Sequence, residues 1–112
     1  MVIMQGSIPI KPGQFDRALV MAHDLIAATR GVAGCITYEF YRALSDPDAL
    51  VVFQEWESMD ALVDHLSSPY LESFLRRLPE IFDGGITTRR YLVQDVEEAE
   101  AEVVFEQPPI IH

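Results

Sequence analysis

Several residue types and patterns are scarce in this 112-residue chain, and each scarcity excludes something. There is one cysteine, Cys35, so no internal disulfide can form, as suits a reducing compartment. Eight Lys and Arg stand against eighteen Asp and Glu, for a formal net charge of -10. Phosphate recognition needs clustered cations, so neither nucleic acid nor an anionic membrane surface is an expected partner. No apolar run approaches the roughly 20 residues of a membrane-spanning helix. The opening, Met1 to Ile10, is short, has no basic start and carries Gln5, Gly6 and Pro9, so it does not read as a secretory signal. A soluble, cytoplasmic protein is the expectation. There is no glycine-rich phosphate loop, Walker lysine or dinucleotide fingerprint. No serine sits in a nucleophile elbow. The three histidines, His23, His65 and His112, fall in different segments, so none has a neighbour at metal-ligand spacing. No cofactor and no metal are expected.

What is present has the composition of one globular domain, 49% hydrophobic and 23% charged. Six of the acids and none of the bases lie in residues 95–112. We read residues 1–94 as the domain and 95–112 as an acidic tail, with pairing of Val103 to Phe105 to a strand of a neighbouring subunit as the other reading of the tail.

Residues 2–9 are β-prone and closed by Lys11-Pro12-Gly13. Over 14–30 a helical period puts Phe15, Ala18, Leu19, Ala22, Ile26 and Thr29 on one face, ended by Gly31 and Gly34. Residues 35–43 read as a strand with Ile36, Tyr38 and Phe40 together, and 49–57 as the next, joined by the turn Ser45-Asp46-Pro47-Asp48. Ser58 caps a short helix over 58–66. Ser68-Pro69 opens a second, with Leu71, Phe74, Leu75, Leu78 and Phe82 on its apolar face, stopped by Gly84-Gly85. Residues 86–94 form the last strand. The order β-α-β-β-α-β is that of the α+β, ferredoxin-like sandwich, an antiparallel sheet with its helices on one face.

In a lone domain of this type the uncovered sheet face should be polar. Here Leu50, Val52, Gln54 and Trp56 alternate with Val51, Phe53, Glu55 and Glu57, and Tyr41 opposes Tyr38 and Phe40. Both faces carry large apolar groups. A homodimer joined sheet to sheet accounts for this.

Among candidate functional residues, His65 is the most informative. It sits three positions after Leu62 and beside Leu66, which are expected to face the sheet. It is either an inward acid/base group or a surface or cap histidine. Trp56, the only tryptophan, is either core or the wall of a pocket. Tyr38, Phe40, Phe53, Tyr70 and Phe74 are aromatic candidates for a pocket lining, with plain core packing as the other reading of each. Cys35 reads as a small buried hydrophobe, His23 as exposed or structural, and Arg76-Arg77 as a solvated helix face. Arg89 and Arg90 are expected to pair with Glu39, Glu55 or Glu57 across strands.

Gly6, Lys11-Pro12-Gly13, the run Gly34 to Tyr41, Asp46-Pro47, Phe53-Gln54-Glu55-Trp56-Glu57 and the run His65 to Leu71 occur in this order and spacing. Together they resemble the antibiotic biosynthesis monooxygenase domain, of the quinol monooxygenase type, over about residues 1–94. The resemblance implies a dimeric α+β barrel made of two ferredoxin-like sheets. It implies oxidation of a small phenolic, quinol or anthrone substrate by molecular oxygen, without metal or flavin. In that reading His65 accepts the substrate's proton, Trp56 walls the pocket, and Tyr38 and Tyr70 help to line it. The sequence contains no asparagine. Heme-degrading and anthrone-oxidising relatives use one, so the resemblance points to a quinol, polyphenol or related aromatic more than to heme or an anthrone. An isomerase of small hydroxy-carbonyl compounds and a non-catalytic ligand-binding protein are the alternatives on the same fold.

Overall fold

A computed structural model describes residues 1–101. Its elements are β1 (Val2–Pro9), α1 (Phe15–Thr29), β2 (Cys35–Arg42), β3 (Ala49–Trp56), α2 (Met59–Leu66), α3 (Pro69–Arg77), a 3₁₀ turn (Leu78–Glu80) and β4 (Thr87–Leu92). The strands form one antiparallel sheet in the order β2-β3-β1-β4, the ferredoxin-like topology that the element order implies. Residues 95–101 form neither helix nor strand. The suggested pairing of Val103 to Phe105 lies outside the described residues. Among the described residues, no helix is long and apolar enough to cross a membrane.

The period of two decides which side chains meet the helices. Val2, Met4, Gly6 and Ile8 of β1 stand opposite Trp56, Gln54, Val52 and Leu50 of β3, and this is the inner face. Val52, Trp56 and Ile8 join Ala18, Met21, Leu25, Leu62, Leu71 and Phe74 of the helices in one core. Ile3, Val51 and Phe53 lie on the outer face, half-buried.

Several expectations are corrected by packing. Helix α1 buries Met21 and Leu25 where Leu19 and Ile26 were expected: Leu19 is 38% exposed and Ile26 only half-buried. The helix is turned by part of a residue step, and either stripe satisfies a 3.6 period. Ile36 falls at a β-bulge between Cys35 and Thr37 and is exposed, so it does not share the inner face with Tyr38. Helix α3 stops at Arg77, well before Gly84-Gly85. Pro79 lacks the N–H that would continue the ladder, and its ring would clash with the carbonyl four residues back, so the chain tightens into the 3₁₀ turn. Within α3 Leu71 and Phe74 are buried while Leu75 is exposed; beyond it Ile81 is buried and Phe82 bridges to Ile10 outside any helix. Arg89 and Arg90 oppose Gln5 and Met4 of β1, with β1 between them and the acids of β3. Glu39 pairs with Arg30 instead.

Candidate active site

The site grows out of the end of β3 and the corner that follows it. Gln54 and Trp56 share the inner face by parity. Ser58 then caps α2, accepting from the N–H of Ala61. Two turns later, the α2–α3 corner is tied by one side chain. The Ser68 hydroxyl donates to the carbonyl of His65 (2.7 Å) and accepts from the N–H of Leu71 (3.3 Å), with Pro69 pre-set for the first turn. This fold-back brings residues 65 and 70 together: His65 Nδ1 lies 2.9 Å from the Tyr70 hydroxyl.

His65 is 1% exposed, so it is an inward histidine, while Leu66, expected to face the sheet, sits 40% exposed at the rim. The imidazole lies against Trp56, with ring centroids 4.7 Å apart and planes 32° apart. Tyr38 meets it edge-on at 5.2 Å. The indole N–H donates to Gln54 Oε1 at 2.9 Å. Because that N–H can only donate, it fixes which end of the amide is which. The amide's donor end is what remains for a ligand.

These groups border a cavity of about 210 Å³ between the inner sheet face and α2–α3. Met4 and Gly6 form its floor, Tyr38 and Gln54 one wall, and His65 and Phe74 the other. An apolar cavity of about 150 Å³ already admits benzene, so a substituted one-ring aromatic fits this scale. Gly6 helps to keep it open: a Cβ there would stand 3.0 Å from Val52 Cγ1.

Burial determines the protonation states. It pushes the His65 pKa down to about 4, so the ring is neutral at physiological pH. It raises the Tyr38 phenol well above its ordinary range, helped by the nearby Tyr70 and Cys35, so Tyr38 stays a protonated donor. His65 Nε2 is buried and has no hydrogen-bond partner among the described residues. With Nδ1 carrying the proton toward Tyr70, Nε2 is a bare lone pair; with the opposite tautomer it is an orphaned N–H, the rarer arrangement in folded proteins. Either way the atom has no protein partner among the described residues, and its residue lines the cavity.

Of the expected site residues, His65, Tyr38, Phe40 and Phe74 line the cavity, and Trp56, wholly buried, lies against the imidazole. Tyr70 touches His65 but opens onto a different groove. Phe53 is on the outer face, opposite Gln5 and Glu39, because it is odd in a strand whose even positions point in. Gln54 was missed. Its signal was present: a polar residue at an inward position of an otherwise apolar strand face. Among the described residues, no group of three His, Cys, Asp or Glu side chains is placed to hold a metal.

A family model described as antibiotic biosynthesis monooxygenase matches residues 1–77. An uncharacterized Synechocystis protein, sll1783, is 23% identical over 96 residues, which cover 86% of this chain and 65% of that one. The chain thus spans about two-thirds of that relative's length. The structure of Rv0793 from Mycobacterium tuberculosis superposes with a TM-score of 0.79 at 21% identity, covering 87% of this chain and 98% of that one. A Deinococcus radiodurans structure named "putative antibiotic biosynthesis monooxygenase" gives 0.82 at 19% identity, covering 90% and 100%. At such identities these likenesses speak to the fold.

Proposed function

The chain belongs to the antibiotic biosynthesis monooxygenase family, and from that premise we propose that it oxidises a quinol or related small polyphenol with molecular oxygen, using only its own side chains. The observation that carries this is the buried, unpartnered Nε2 of a neutral His65, a residue that lines an apolar cavity of one-ring size. A phenol becomes a competent electron donor to oxygen once it loses its proton. The cavity supplies a dry site for the ring and a base for that proton. The balance closes on the substrate itself: hydroquinone plus O₂ gives hydroxybenzoquinone plus water, with no outside reductant. Gln54 and Tyr38 offer donors to the second oxygen of the substrate and to the negative charge that develops on reduced oxygen. Trp56 holds the Gln54 amide and the imidazole in place.

We further infer that two copies join through their outer sheet faces, where Phe53, Val51 and Ile3 are only half-covered in the single chain. In such a dimer Phe53 belongs to the interface and does not contact substrate.

Oxygen uptake by metal-stripped protein tests the activity against a panel of hydroquinones, with His65→Ala and Trp56→Phe alongside because these substrates also autoxidise. Uptake above background that falls roughly 100-fold in His65→Ala is the expected result. Uptake at background across the panel, or unchanged by His65→Ala, overturns it.

A further inference from the structure

Two cavities flank the His65–Tyr70 pair. His65 lines the inner one, and Tyr70 is not on its wall. Tyr70 instead lines a groove of about 260 Å³ between α1 and α3, together with Asp24, Ser73 and Arg77. Leu25 and Phe74 line both spaces, so a single apolar layer separates them. The 2.9 Å contact between His65 Nδ1 and the Tyr70 hydroxyl joins a residue that lines one space to a residue that lines the other.

The surroundings of His65 give this contact a consequence. A base that keeps its proton becomes a cation. An imidazolium facing Trp56 and Tyr38 would be desolvated, and among the described residues no carboxylate lines the cavity to balance it. A neutral imidazole can still take a proton at Nε2 if it releases one from Nδ1. The partner at Nδ1 is Tyr70, which lines the α1–α3 groove together with the charged residues Asp24 and Arg77.

We propose that Tyr70 is the proton outlet of the site: its hydroxyl takes the Nδ1 proton of His65 as Nε2 takes the substrate's, and releases its own to water in the α1–α3 groove. This rests on the reading of His65 as the base. One proton enters at Nε2 and one leaves from Oη, so no net charge is left on the ring. The imidazole ends in its other tautomer. It resets by giving the Nε2 proton to the oxygen atom that departs as water, while a proton returns through Tyr70. Tyr70 is thus a positioning and relay residue that does not touch substrate.

The test has two arms. In the ligand-free protein, labelled at histidine nitrogen, NMR reads exchange of the His65 ring N–H with solvent. The relay predicts exchange well ahead of the core amides of β3, slowed about tenfold or more in Tyr70→Phe. Exchange as slow as those amides in the wild type, or unslowed in the variant, overturns it. In turnover with hydroquinone, Tyr70→Phe lowers kcat roughly tenfold or more with KM unchanged, and the solvent-isotope proton inventory changes from curved to linear. A purely structural role would move KM or stability but leave the inventory alone. Active wild-type protein with a linear inventory overturns the relay and leaves the monooxygenase reading standing. Wild-type protein without turnover defeats that reading, and the exchange arm still decides the relay. A poorly folded variant is bypassed by the two wild-type measurements.

Discussion

A neutral imidazole buried with one nitrogen bare destabilises the chain that carries it, and pH exposes this. The His65 pKa is about 4 in the folded chain, against an ordinary value near 6.5. Above about 6.5 both states are neutral there. As pH falls, the unfolded chain takes up a proton that the folded one refuses, so stability declines until about pH 4. The expected loss from this group is roughly 2 kcal/mol between pH 7 and pH 5. Urea midpoints at the two pH values should show it, and His65→Gln should remove that share of the slope. The same displacement sets the acid limb of activity near pH 4, not near 6.5, in a pH profile of kcat/KM. Trp56→Phe strips the partner from a buried amide oxygen and should cost about 1–3 kcal/mol, measured by the same melts, while also loosening the donor end of Gln54. At this scale the residue types were legible and their surroundings were not. His65 was visible as an acid/base candidate at three residues from Leu62, but its 1% exposure comes from the Ser68-tied corner. Gln54 was visible only to a reading of strand parity that treats an inward amide as an anomaly.

Elements follow local chemistry closely here, and they differ from expectation where two local signals compete. The caps Ser58 and Ser68 act as their positions suggest. Within 69–82, the apolar period and Pro79 point to different helix lengths, and Pro79 prevails because a missing N–H and a ring clash act within one turn. Gly34 ends the α1–β2 connection at φ +82°, and a Cβ there would lie 2.5 Å from Ala61 Cβ on α2. Both the backbone angle and the contact demand glycine. Gly34→Ala should therefore destabilise by roughly 2 kcal/mol or more, read as a lower urea midpoint with the slope unchanged. Gly31→Ala, with nothing near its Cβ position, should be close to neutral. Helix α1 illustrates the limit of periodicity. Its two candidate stripes differ by a small rotation, and only contact with α3 and the sheet selects Met21 and Leu25.

At the scale of the whole molecule the open matter is the second sheet face. Phe53→Glu places a charge at the centre of the inferred interface without touching the cavity. Sedimentation at micromolar concentration should find a dimer for the wild type and a monomer for this variant, and a wild-type monomer removes the inference. The sheet order also decides the fate of charges. Arg89 and Arg90 had suitable acids in the sequence, but β4 lies beside β1 at the edge, and the acids lie on β3 and β2. The amino-acid order alone carries the strands, the helices, the inward and outward parity of β3 and the excess of apolar surface. All of these depend on repeats of two or 3.6 residues and on caps and turns a few residues long. Tertiary structure alone places β4 on β1, joins His65 to Tyr70 across a corner, stacks Trp56 on the imidazole and leaves a cavity over Gly6. Each of those depends on which distant surfaces exclude water together, and that selection is made by packing between elements, which no local period encodes.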